Sequence, residues 1–135
     1  AVAEVPDDQT HQYGIVAPGA DDGCVAEVKG LIEKPSAGTA PSNLAMTGRY
    51  ILSPEVFEKL KKGSLGAGGE IQLTDAMAET IGSVPFHAVR FEGERFDCGD
   101  KAGYLAANLA YGLAREDIGP KLLELMPGII NPLKS

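Results

Sequence analysis

The amino-acid sequence predicts an α/β fold with a mixed rather than purely parallel sheet. Three observations predict it. Strand-like and helix-like segments alternate along the chain, the first two strands sit close enough to form a hairpin, and the helices carry clear start and stop signals. At 135 residues the chain is one domain's worth and long enough to bury a real core. A composition of 44% hydrophobic and 23% charged residues is ordinary for a globular protein. The charge balance, 12 basic against 19 acidic residues for a net −7, argues against a nucleic-acid or anionic-membrane surface, which needs a basic face. Seventeen glycines and nine prolines predict many shaped loops.

Residues 1–12 are polar and read as a loosely held lead-in, with neither the basic nor the apolar region of a secretory signal. Residues 13–17 (YGIVA) form a short strand, 18–23 carry turn chemistry, and 24–32 (CVAEVKGLI) form the returning strand. Residues 44–52 (LAMTGRYIL) make a third strand. Ser53 can cap a helix whose first residue is Pro54, where the missing N–H costs nothing. Val56, Phe57 and Leu60 give that helix its apolar face, and Lys61, Lys62 and Gly63 close it. Leu73, Met77 and Ile81 recur every four residues on a second helix that Gly82 can end. Residues 84–92 alternate as a strand does, and a longer helix spans 101–115. Pro120 opens a last helix through Met126. The most apolar stretch, 102–114, is too short to span a bilayer. A sheet assembled this way is expected to leave edges that need covering.

Few residues read as chemical on their own. Cys24 and Cys98 lie far apart with no clustered ligands, so a disulfide or zinc site is a poor account and thiols in a reducing cytoplasm a better one. His11 and His87 stand alone, and His87, in a strand-like segment, reads as a packing or surface residue rather than a ligand. The Gly-rich run 63–70 lacks the Gly-Lys-Ser/Thr ending of a phosphate loop and follows a helix, so it reads as a flexible connection. Glu33 and Lys34 end the second strand before Pro35. Their side chains leave a strand in opposite directions and could address two parts of one ligand, although by themselves they read as a solvated strand end. Asp97 lies between the last strand and the long helix, where open α/β sheets place ligands. One carboxylate cannot cage Mg²⁺, but that ion borrows phosphate oxygens and keeps waters. Asp100 reads as an ordinary helix N-cap.

Three blocks, GLIEKPSAGTAPSNLAMTGRYIL (30–52), GEIQLTDAM (69–77) and FDCGDKAGY (96–104), occur in this order and spacing. Together they resemble the carboxy-terminal half of the bacterial UTP–glucose-1-phosphate uridylyltransferase (UDP-glucose pyrophosphorylase) family, over about residues 13–115. The resemblance implies a Rossmann-like, mixed-sheet sugar-nucleotidyltransferase domain of which residues 1–135 are the carboxy-terminal portion. The family's amino-terminal half, with its nucleotide loop and its other metal-binding aspartate, has no counterpart in these residues, and the chain alone is expected to be inactive. It further implies transfer of UMP from UTP to α-D-glucose 1-phosphate, giving UDP-glucose and pyrophosphate, with Mg²⁺ as cofactor in a cytoplasmic homo-oligomer. Carried over residue by residue, Gly14 would lie against the sugar, Glu33 would accept from its hydroxyls and Lys34 would hold its phosphate and assist catalysis. Asn43 to Gly48 would line the sugar pocket, and Asp97 would be a metal ligand. Two alternatives stay open: a neighbouring enzyme with a thymidylyl, adenylyl or guanylyl donor, and a non-catalytic assembly module.

Overall fold

The computed structural model of the protein describes residues 1–130, which fall into two compact units, Ala1–Glu92 and a second beginning at Gly93. The first unit is a five-stranded sheet with two helices. Its strands are β1 (Val2–Glu4), β2 (Gly14–Asp21), β3 (Val25–Glu33), β4 (Leu44–Met46) and β5 (His87–Val89), in the spatial order β1-β4-β2-β3-β5. Every ladder among the described residues is antiparallel; the mixed character comes down to isolated parallel bridges such as Val2 to Arg90. That bridge joins the two outer strands, so the sheet curls on itself. The edges expected to need covering are instead brought together. Arg90 reinforces the closure, donating through Nη1 and Nη2 to both carboxylate oxygens of Asp21 at 2.8 Å, with Glu4 at 3.7 Å.

β2 and β3 form the expected hairpin, but with a tighter turn than the sequence suggests. β2 continues through Pro18 to Asp21, and only Asp22, Gly23 and Cys24 lie between the strands. Two register shifts absorb Pro18, which has no N–H for the ladder. Asp22 then closes the turn by accepting from the backbone N–H groups of Cys24 and Val25 at 2.9 and 2.7 Å. Alternation along β2 splits the core. Ile15 faces Val5 and Ala45, while Val16 joins Val2, Ala26, Val28, Leu44 and Ala88 on the other face.

Residues 44–52 do not form one strand. β4 stops at Met46 because Gly48 and Arg49 both take positive φ, 78° and 71°, which no strand accommodates. The expected strand 84–92 likewise narrows to His87–Val89, with Ala88 buried and its neighbours exposed.

α1 (Pro54–Lys61) starts at Pro54 as expected, although Ser53 occupies the N-cap position without a side-chain cap hydrogen bond. Gly63, at φ 67°, ends it. A 3-10 turn at Ala67–Gly69 links it to α2 (Leu73–Ala78), so the Gly-rich run is a connection, as its sequence suggests. Ile81 lies beyond α2 and bridges Val84. Val56 of α1 and Ala76 and Met77 of α2 pack with Leu31, Met46 and Phe86, seating both helices against the sheet. This packing delivers the start of α2 to the end of β3.

The second unit is a helix pair, α3 (Lys101–Leu113) and α4 (Gly119–Ile130). Gly112 lets the helices approach, since a Cβ there would lie 3.1 Å from Leu122. α4 runs past the expected end at Met126 with Pro127 inside it. Cys24 and Cys98 are free and exposed, and no described helix is long and apolar enough to cross a membrane.

Candidate functional site

Of the expected site residues in the first unit, Gly14, Glu33 and Lys34 lie together at the open end of the β2–β3 hairpin, while Asn43 lies apart beside Thr10, Gly38 and Ser42. Gly14, the first residue of β2, stands opposite Glu33, the last of β3. Thr74, in the first turn of α2, is 6% exposed, and its hydroxyl donates to Glu33 Oε2 at 2.5 Å across 41 positions of sequence. Among the described residues Glu33 Oε1 makes no hydrogen bond or ion pair. One carboxylate oxygen is therefore anchored, and the other is left to accept from a ligand.

Gly14 is what permits this approach. A Cβ built there would lie 2.9 Å from Glu33 Oε2 and 3.1 Å from Thr74 Oγ1, and would run into Met46 Cε. The site needs glycine at this position for space, not for a special backbone conformation.

Lys34 follows directly, but the strand rule does not extend to it. β3 ends at Glu33 and Lys34 takes a φ of 46°, so the two side chains are not bound to the opposite faces expected of them. Its backbone N–H donates to the Tyr13 carbonyl at 3.0 Å, and buried Pro35 follows. A lysine held in the left-handed region is an uncommon, strained conformation. Its ammonium is exposed and has no ion-pair partner among the described residues.

Asn43 and Gly48 flank β4, whose Ala45 pairs with Ile15, so this segment runs beside Gly14 and sends Met46 against it. The Asn43 carbonyl is occupied by the Val5 N–H at 3.0 Å. Burial pushes the Tyr50 phenol up, the Gly48 backbone opposes the rise, and the Glu33 carboxylate adds to it. Tyr50 thereby joins Gly48 to the surroundings of Glu33. Thr74 and Tyr50 were not singled out by sequence reasoning, although both lie inside the quoted motifs; Thr74 has Asp75 and Glu70 close by in sequence but bonds to Glu33, 41 positions away, and nothing local signals that partner.

Asp97 belongs to the second unit and does not sit at a strand end. β5 stops at Val89, and Asp97 opens the turn that leads into α3. Its Oδ1 accepts from Gly99 N–H at 3.0 Å, and Arg95 approaches Oδ2 at 3.4 Å. Its carbonyl lies so close to Gly103 that a Cβ there would collide with it. Asp100 is the N-cap read from the sequence, its Oδ2 accepting from Gly103 N–H at 2.8 Å. No group of three metal-ligating side chains occurs among the described residues. The half-exposed, hard-oxygen carboxylate of Asp97 fits one ligand position of a Mg²⁺ ion that draws its others from phosphate and water.

A cleft of about 840 Å³ lies elsewhere in the first unit, along the hairpin's turn end and residues 81–87. Its charges are largely matched: Asp21 with Arg90, Glu27 with Lys29 at 2.5 Å, and Asp22 with its own turn. It contains none of the site residues expected from sequence.

Comparison with known proteins follows the same lines. A model of the nucleotidyl transferase family matches residues 1–112. The UTP–glucose-1-phosphate uridylyltransferase of Komagataeibacter xylinus is 60% identical over 101 residues, covering 75% of this chain and 36% of that one. The enzyme of the same name from Bacillus subtilis is 42% identical over 130 residues, covering 96% and 44%. Among solved structures, a UDP-glucose pyrophosphorylase complexed with UDP-glucose aligns with a TM-score of 0.78 at 39% identity, over 84% of this chain and 43% of that one. A UTP-bound enzyme from Acinetobacter baumannii aligns at 0.77 and 39% identity, over 93% and 43%. The chain thus spans less than half the length of these relatives. With residues 1–112 matched by the family model and relatives of 42–60% identity over most of its length, the chain belongs to the nucleotidyl transferase family.

Proposed function

We propose that the chain is the carboxy-terminal portion of an enzyme that transfers UMP from UTP to α-D-glucose 1-phosphate, releasing UDP-glucose and pyrophosphate, and that it supplies the sugar-phosphate side of the site. The observation that carries this reading is the Glu33 carboxylate anchored through Oε2, next in sequence to the Lys34 ammonium, with neither Oε1 nor the ammonium partnered among the described residues. A sugar 1-phosphate needs both: an acceptor for its hydroxyls and a cation for its phosphate. The names of the relatives support the uridylyl donor and the glucose acceptor.

The attacking atom is a phosphate oxygen, already anionic at neutral pH, so no side chain has to remove a proton from it. What remains for the protein is alignment and neutralisation of charge. Glu33 orients the sugar through hydroxyls that donate to Oε1. Gly14 leaves room for the ring to approach the sheet, and the Asn43–Gly48 segment closes the pocket's side. Lys34 meets the phosphate and offsets charge as it gathers on the reacting oxygens. Mg²⁺, with Asp97 as one ligand, would supply further neutralisation on the triphosphate. We read the enzyme as cytoplasmic, which two free, exposed thiols support, and the working form as a homo-oligomer.

The test is turnover by the full-length protein with glucose 1-phosphate and UTP, dTTP, ATP or GTP in turn. UTP is expected to be preferred by a large factor. Preference for another donor points to a neighbouring enzyme of the family, and no turnover with any of them points to an assembly module.

A further inference from the structure

We propose that Thr74 is a positioning residue for sugar recognition, acting through Glu33: its hydroxyl selects the carboxylate orientation that presents Oε1 to the sugar. The inference rests on the function proposed above and goes beyond it by assigning a role to a residue on a different element.

Thr74 is buried, and a buried hydroxyl needs a partner. Glu33 Oε2 is that partner at 2.5 Å, a short, charge-assisted contact. No other hydrogen bond or ion pair among the described residues reaches the Glu33 carboxylate. Without Thr74 the side chain would sample its other rotamers, and each would move Oε1 away from the place a sugar hydroxyl must reach. Packing fixes Thr74 in turn: its neighbours Ala76 and Met77 belong to the core cluster that seats α2 on the sheet. The precision of the acceptor is thus inherited from the helix rather than from the strand that carries it. Gly14 completes the arrangement, because any Cβ there would press on both Thr74 Oγ1 and Glu33 Oε2.

The experiment compares Thr74→Val, Thr74→Ser, Glu33→Gln and the double variant Thr74→Val/Glu33→Gln in the full-length protein, measuring KM for glucose 1-phosphate, KM for UTP, kcat and Tm. Thr74→Val keeps the shape and removes the hydroxyl. It is expected to raise KM for glucose 1-phosphate about tenfold, the size of one such hydrogen bond at the low end of its range, and to leave KM for UTP unchanged. Thr74→Ser restores the hydroxyl and is expected to stay close to the parent. In the Glu33→Gln background, Thr74→Val is expected to add little, because its route to the sugar is already broken. An unchanged sugar KM in Thr74→Val overturns the inference. So do additive losses in the double variant, or a fall in Tm with both substrates weakened together, either of which makes Thr74 structural. A normal sugar KM in Glu33→Gln overturns the functional reading itself, and the inference falls with it; an impaired Glu33→Gln with a normal Thr74→Val overturns the inference alone.

Discussion

Replacing Gly14 by alanine tests the close packing at the site with a single methyl group. The added Cβ would stand 2.9 Å from Glu33 Oε2 and 3.1 Å from Thr74 Oγ1, and would meet Met46 Cε head on. Met46 can swing its flexible end aside, but the other two groups hold one another at 2.5 Å, so either the strand or that hydrogen bond must give. Overpacking of this kind costs about 1–3 kcal/mol. Gly14 has no positive φ, so backbone strain adds nothing, and alanine recovers about 0.4–1 kcal/mol by restricting the unfolded chain. The net expectation is a loss of up to about 2.5 kcal/mol, centred near 1 kcal/mol, or a Tm lower by about 2–4 °C in a protein of more than about 150 residues. KM for glucose 1-phosphate should rise as Glu33 is displaced. Gly30→Ala is the internal control. It lies on the partner strand, also without positive φ, and its Cβ would meet only Ala17 at an ordinary 3.5 Å. That variant should be neutral or slightly stabilised. Calorimetry of both variants in the full-length protein, with sugar kinetics, decides the matter. If Gly14→Ala is as stable as Gly30→Ala and binds the sugar normally, the packing argument is wrong.

Lys34→Gly should relieve the left-handed backbone and raise stability by about 1 kcal/mol, while cutting kcat/KM for glucose 1-phosphate by tenfold or more; denaturant unfolding and steady-state kinetics would show whether the two effects part in this way. Asp97→Asn keeps the acceptor for the Gly99 N–H but loses the charge, so the fold should hold while the Mg²⁺ concentration needed for half-maximal activity rises; superimposable Mg²⁺ titrations would make Asp97 structural. The hydrogen bonds from Arg90 hold the Asp21 carboxyl below the usual carboxylate range, with Gly23 N–H assisting. A lowered folded value means that this contribution is complete above about pH 4 and is lost as the pH falls further through the lowered value. Arg90→Met should bring the Asp21 titration, followed by NMR, back towards the ordinary range and move the onset of acid unfolding to higher pH; an unmoved titration would refute the pairing.

Much of this protein was legible before folding, and the legible parts are local. Proline at the start of α1, glycine at its end, the Asp100 cap and the alternation along β2 and β3 each act within a few residues, where sterics and backbone hydrogen bonding leave little choice. The motifs around Glu33, Lys34 and Asp97 were legible too, because they resemble a known family closely enough to assign those residues expected roles, whereas Thr74 lay inside such a motif without being singled out. Tertiary structure decided what sequence spacing cannot carry. The 44–52 segment had a strand's composition, but the positive φ of Gly48 and Arg49 ends β4 at Met46. The outer strands meet through Val2 and Arg90 because sheet curl accumulates over five strands, a property of no single strand. The contact between Thr74 and Glu33 exists only because α2 packs on β3. A hydrogen bond spanning 41 residues leaves no periodic trace in sequence, and the space that Gly14 provides for it is a property of three elements at once.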